Sequence, residues 1–145
     1  MGKAVAIRGD LARAEVFVLS REDVQRWVAA YEAAWRSAGT DALRSFFAEG
    51  ARYLHSPYSE AIVGLAAIAQ MWEAEREGPD EVFKLETSVV AVEGDTAIVR
   101  AQVFYGDPVR QEYRDLWVVQ FDDAGRCISF EEWPFWPEKP WSGRG

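Results

Sequence analysis

Two carboxylates, Asp115 and Glu132, stand near the far ends of adjacent segments that alternate apolar and polar residues. If Asp123 and Ala124 make a two-residue turn between those segments, Val119 faces Ile128, Trp117 faces Phe130 and Asp115 faces Glu132, all on one side. Opposed carboxyls have Cβ atoms about 5 Å apart, so in an apolar setting both do not stay ionised. Either one holds its proton and becomes a usable general acid, or a cation intervenes. Arg100 is the expected cation: closing the preceding hairpin through Gly106 to Val109 sets it beside Asp115. A bulge at Gly125 would shift this pairing. If the face were external, the same residues would be solvated salt-bridge partners.

His55, the one histidine, follows Tyr53 by two residues and shares its side of an extended segment. His55 is either a general base or a satisfied structural group. Tyr53 either offers its hydroxyl to a ligand or water, or caps an apolar body. Tyr31, Trp35, Trp72, Tyr113, Trp117 and Phe130 complete the expected ligand-binding wall with Arg100, although aromatic stripes at helical spacing also build cores. No Gly-rich phosphate loop, paired His or Cys ligand set or Ser-centred nucleophile motif occurs, so no cofactor or metal is expected.

These side chains need elements to hold them. Ser20 and Asp23 form a capping-box pattern before Val24, Trp27, Val28, Tyr31 and Trp35, which fall on one helical face until Gly39. Thr40 is the expected cap of a second, shorter helix carrying Leu43, Phe46 and Phe47. The stretch 51–57 is extended, and Pro57 predicts an edge or a turn. A third helix begins at Gly64 and stops at Gly78-Pro79. From Val82 the period becomes two, giving strands at about 82–92, 96–105, 111–121 and 126–135 joined by short turns, hence antiparallel.

Helices followed by a meander predict an α+β domain over 21–137, with residues 1–20 as an N-terminal extension and 138–145 as a C-terminal tail. The 145 residues, 49% of them hydrophobic, suffice for one core. A formal charge of -8 disfavours nucleic acid and anionic membranes as partners. The lone Cys127 and the lack of a signal-peptide pattern in residues 1–20 predict a cytoplasmic protein. Leu116, Val118, Cys127, Ser129 and Trp133 make a mixed outer face suited to a homodimer, where Arg114 over Trp133 would add a cation–π contact.

The order and spacing of Phe47-Ala48-Glu49-Gly50-Ala51, Ser56-Pro57, Gly64-Leu65-Ala66-Ala67-Ile68 and the run from Phe121 to Ile128 resemble those of SnoaL-like, or nuclear transport factor 2-like, cone proteins from about Arg21 to Trp136. The resemblance implies a cone-shaped α+β barrel, three N-terminal helices packed on a curved antiparallel sheet, often dimeric. That fold hosts isomerases, epoxide hydrolases, polyketide cyclases, dehydratases and noncatalytic proteins. Compared with ketosteroid isomerases, Tyr31 lies near the oxyanion tyrosine, but Ser56 replaces the base and Trp117 the acidic donor, which argues against that activity. Compared with limonene epoxide hydrolases, Tyr53 and His55 sit where a tyrosine and an asparagine hold the attacking water, and Glu132 resembles the final-strand aspartate. The Arg-x-Asp pattern of those enzymes is absent, Ala101 and Val103 lying nearby, unless Arg100 and Asp115 substitute from neighbouring strands. The expected ligand is a small apolar metabolite. Two functions follow: cofactor-free acid–base chemistry by Asp115, Glu132, His55 and Tyr53, or a noncatalytic binding or dimerisation module.

Overall fold

A computed structural model of the chain describes residues 17–141. Residues 1–16 of the expected N-terminal extension and 142–145 of the expected tail lie outside the described residues. Leu19 is buried and Phe17 packs against the core, so packing begins ahead of the first helix.

That helix, α1, spans Arg21–Trp35, and its capping box forms as the sequence requires: the Ser20 hydroxyl accepts from Asp23 N–H while the Asp23 carboxylate accepts from Ser20 N–H. Val24, Trp27, Val28 and Ala34 are its buried side. The expected second helix is instead a 3-10 turn at Asp41–Ser45, with no side-chain cap from Thr40. Phe46 and Phe47 are both buried although adjacent, which one helical face cannot arrange; the chain turns into a strand at Phe47. Strand β1, Phe47–Leu54, then buries alternate residues Ala51 and Tyr53. Helix α2, Leu65–Glu75, turns Ile68 and Trp72 into the core. Two α-helices therefore stand where three were expected.

The short β2, Ile62–Val63, is followed beyond α2 by β3 at Phe83–Glu93, β4 at Thr96–Tyr105, β5 at Gln111–Phe121 and β6 at Cys127–Phe135. The curved sheet runs β2-β1-β6-β5-β4-β3 and does not close into a barrel. β1 is not an edge: it lies between β2 and β6, and pairs with β6 in parallel, so the sheet is not wholly antiparallel. Pro57 falls beyond the end of β1, where no ladder hydrogen bond is lost.

Arg76, just after α2, has a buried guanidinium. It donates to Ala34 O at 3.0 Å and Gly39 O at 2.9 Å, and pairs with Glu73 at 2.6 Å, tying the end of α2 to the end of α1. Below it the core centres on Trp27, whose indole N–H donates to Phe46 O at 2.8 Å while Phe46, Phe47 and Phe121 meet its ring edge-on. No helix among the described residues is long and apolar enough to cross a membrane.

Candidate functional site

Register decides which side chains enter the space between the helices and the sheet. The β5–β6 loop is longer than a two-residue turn because Asp122 leaves the strand. Its carboxylate accepts from Ala124 N–H and Arg126 N–H, both at 2.9 Å, and its own N–H bonds Arg126 O at 2.8 Å. Phe121 then faces Cys127, and a bulge follows, so Val119 faces Phe130, Trp117 faces Glu132 and Asp115 faces Pro134. The expected pairing is thus displaced by two residues, which preserves the face of Asp115, Trp117, Glu132 and Phe130. Asp115 and Glu132 become diagonal rather than opposed neighbours. The bulge also buries Cys127, removing it from the outer face.

The preceding loop contains one residue more than expected. Arg110 N–H closes it on Tyr105 O at 2.8 Å, and Tyr105 pairs with Gln111. A one-residue slip changes the face. Ala101 therefore stands opposite Asp115, while Arg100 faces Leu116 and is exposed on the outer side. Arg100 neither bridges the acids nor lines the cavity.

That cavity has a volume of about 470 Å³. Tyr31, Trp35, Tyr53, His55, Tyr113, Asp115, Trp117 and Glu132 line it, as do several residues that were not anticipated: Glu75, Glu81, Tyr105, Gln111, Pro134 and Trp136 among them. Trp72 and Phe130 do not. Both are fully buried, Trp72 beneath Trp35 and Tyr31, and Phe130 beneath Tyr53 and Tyr31, so they support the lining as core.

At the floor, Asp115 is 4% exposed, and burial raises its pKa. The proximity of Glu132, the Trp117 indole and the Phe135 backbone acts in the opposite direction. Glu132 is half-buried and its pKa is raised further, first by burial and then by its hydrogen bond to Asp115 and the negative charge there. Both carboxyls are thus biased toward their protonated forms, Glu132 the more strongly. Trp117 N–H reaches toward Asp115, yet neither Trp117 Nε1 nor Asp115 Oδ1 completes a hydrogen bond of good geometry. These are an unmatched donor and an unmatched acceptor in one cavity.

Beside them the Tyr31 and Tyr53 hydroxyls lie 3.3 Å apart. Burial raises both phenols well above the ordinary range, so they stay protonated. Their mutual bond uses one hydroxyl hydrogen and leaves the other for a ligand or for Glu132. His55 Nε2 contacts Glu75 Oε2 at 2.9 Å, and Trp35 Nε1 donates to Glu81 Oε1 at 3.1 Å. Glu75 and Glu81 had no sequence signal, because each belongs to a segment end whose position depends on packing.

On the outer face, Leu116 pairs with Trp133 and both are partly exposed. Arg114 faces Phe135 rather than Trp133, and the cation–π contact found among the described residues is Arg36 over Phe83, at 3.8 Å. No group of three or more His, Cys, Asp or Glu side chains among the described residues is arranged to hold a metal.

Residues 24–130 match the SnoaL-like domain family. Among solved structures, the chain is similar to a candidate SnoaL-like polyketide cyclase from Jannaschia sp. CCS1, with 18% identity over 86% of this chain and 91% of that one and a TM-score of 0.64. A candidate polyketide cyclase from Sinorhizobium meliloti is 26% identical over 79% of this chain and 99% of its own, with a TM-score of 0.60. The epoxide hydrolase/cyclase-like enzyme SalBIII, described in pyran ring formation in the polyether salinomycin, is 16% identical over 82% of this chain and 94% of its own, with a TM-score of 0.65. No curated protein matches the chain.

Proposed function

Because the chain belongs to the SnoaL-like domain family, we propose that its cavity is an active site performing cofactor-independent acid–base chemistry on a small molecule with an apolar body. The observation that carries this reading is the placement of the Asp115 and Glu132 carboxyls, diagonal neighbours across β5 and β6, in the lining of a cavity of about 470 Å³. Glu132 is the general acid, since it is the more strongly biased toward its protonated form and the more exposed of the two. Asp115 keeps the negative charge. Once Glu132 has given its proton to a substrate oxygen, two neighbouring carboxylates are ionised in a poorly solvated place, a state that strongly favours recovery of a proton. Reactions that return a proton to the acid within one turnover suit this pair: isomerisation, dehydration, and epoxide opening by water or by an internal hydroxyl. The free hydroxyl hydrogen of the Tyr31–Tyr53 couple orients the oxygen that is protonated, and His55, held by Glu75, is a second proton acceptor at the wall.

The neighbours named as polyketide cyclases and as an epoxide hydrolase/cyclase-like enzyme support chemistry of this type on oxygenated substrates. A noncatalytic module would need a cavity filled by its own aromatics and acids neutralised by Arg100. The cavity volume and the outward Arg100 argue against both. The half-exposed Leu116 and Trp133 pair favours a homodimer through the outer sheet face, which light scattering on wild type and Trp133→Glu would test by loss of the dimer.

The direct test is a panel of small epoxides and β-hydroxy ketones assayed with wild type, Asp115→Asn and Glu132→Gln. Turnover by wild type that falls about 10²–10⁴-fold in both variants is expected. Unchanged turnover in folded Glu132→Gln removes the assignment.

A further inference from the structure

Several charged groups of the cavity wall are already engaged. Glu32 is paired with Arg36 at 2.8 Å, Glu75 meets the His55 imidazole at 2.9 Å, and Arg110 reaches Glu77 at 3.4 Å. Glu81 is half-buried in the cavity wall, where the Trp35 indole fixes it, and among the described residues no cation pairs with it. Hydrogen-bonding a carboxylate to a neutral indole orients it without neutralising it. The rings that line the same cavity are walls rather than a stack: Tyr105 and Tyr113 are 6.1 Å apart at 87°, and Tyr113 and Trp136 are 5.7 Å apart at 69°. Tyr105 lines the same cavity as Glu81 and the Asp115–Glu132 pair, and burial, followed by the charge of Glu81, raises its phenol above the ordinary range.

Aromatic faces and a fixed carboxylate attract the same kind of group, an organic cation. A second, independent vacancy lies deeper. Asp115 Oδ1 and Trp117 Nε1 are buried in the floor, the former lacking a donor and the latter an acceptor. A hydroxyl supplies both at a single atom.

Resting on the reading of the cavity as an active site, we infer that its ligand is an organic cation: a protonated or quaternary ammonium group sits at the mouth between Glu81 and the rings of Trp35, Tyr105 and Tyr113, and an oxygen function points to Asp115 and Trp117. The ligand's apolar body spans the interval. Anionic substrates are disfavoured at the same place, because Arg110, the arginine of the cavity wall, is engaged by Glu77 and no cation pairs with Glu81 among the described residues.

The test compares benzyltrimethylammonium with its uncharged carbon isostere, 2,2-dimethylpropylbenzene, by tryptophan fluorescence titration of wild type and Glu81→Gln. Gln at 81 still accepts from Trp35, so the wall is kept while the charge is removed, and matching melting temperatures verify the fold. Wild type is expected to bind the cation at least about tenfold more tightly than the isostere, and Glu81→Gln to lose that preference. Equal or tighter binding of the isostere by wild type overturns the cation subsite and leaves the acid–base proposal standing. A preference that survives Glu81→Gln overturns the assignment to Glu81. Failure of both probes to bind wild type overturns this inference, while the turnover panel with Glu132→Gln decides the acid–base reading separately.

Discussion

The narrow end of the fold and its open end are built from the same residue types, yet they treat polar groups in opposite ways. Around Trp27 the rings of Phe46, Phe47 and Phe121 meet the indole edge-on, and its N–H is satisfied by Phe46 O. Around Trp117 the rings border a cavity, the indole N–H has no completed partner, and two carboxyls lie together with no cation paired to either among the described residues. One end is arranged for burial, the other for an absent group. Buried unsatisfied atoms are costly and uncommon in native proteins, so their concentration at one end distinguishes site from core better than hydrophobicity does. Trp72 Nε1, buried in the core without a partner, is the exception, and nothing in the structure explains it.

Substitutions should separate the two ends. Phe130→Ala removes the ring on which Tyr31 and Tyr53 stack. It is expected to cost about 3–5 kcal/mol in urea denaturation, and a loss below about 1 kcal/mol would mean that this floor is not core.

Glu132→Gln should do the reverse at neutral pH. A carboxyl that binds its proton more tightly in the folded chain stabilises the fold at low pH, and this contribution is lost as pH rises from the ordinary carboxyl range near ~4 toward the raised folded value. Above that window the charged pair is a burden that glutamine avoids. Wild type should therefore lose more stability than the variant between acid and neutral pH. At pH 7 the variant should melt higher, by roughly 2–8 °C per kcal/mol recovered. A calorimetric profile identical for both proteins would contradict the raised pKa of Glu132.

The two indoles allow a finer comparison. Trp27→Phe deletes a completed bond to Phe46 O and is expected to be about 0.5–1.5 kcal/mol more destabilising than Trp117→Phe, which deletes an unpaired N–H. Equal losses would place both tryptophans in one class. The smallest effect belongs to Arg100→Ala, on the outer face: stability should stay within about 0.5 kcal/mol of wild type and turnover should not change. Lost activity there would return Arg100 to the site.

Much of the fold was legible because its signals are local. Ser20 and Asp23 lie within one helical turn, the two-residue alternation from Val82 to Phe135 is a property of each strand, and Gly94 with φ 61° makes the tight turn between β3 and β4. Phe46-Phe47 misled the pattern, since helical spacing and the start of a buried strand look alike over two residues. The parallel pairing of β1 with β6 joins segments far apart in the chain and has no local signature.

The site was legible only as a face. Tyr113, Asp115 and Trp117 on one strand and Phe130 and Glu132 on the next share a side through their spacing alone, and a displacement by an even number of residues leaves that unchanged. The sequence by itself therefore determined the helix caps, the meander and the company Asp115 and Glu132 keep. Tertiary structure decided the rest: the Asp122 cap lengthened one loop, Arg110 lengthened the other, and Arg100 consequently points outward. Glu75 and Glu81 reach the cavity because α2 and the segment after it are docked there, with Arg76 holding the helix ends together. Such positions depend on the sum of many packing contacts, and no residue pattern along the chain encodes that sum.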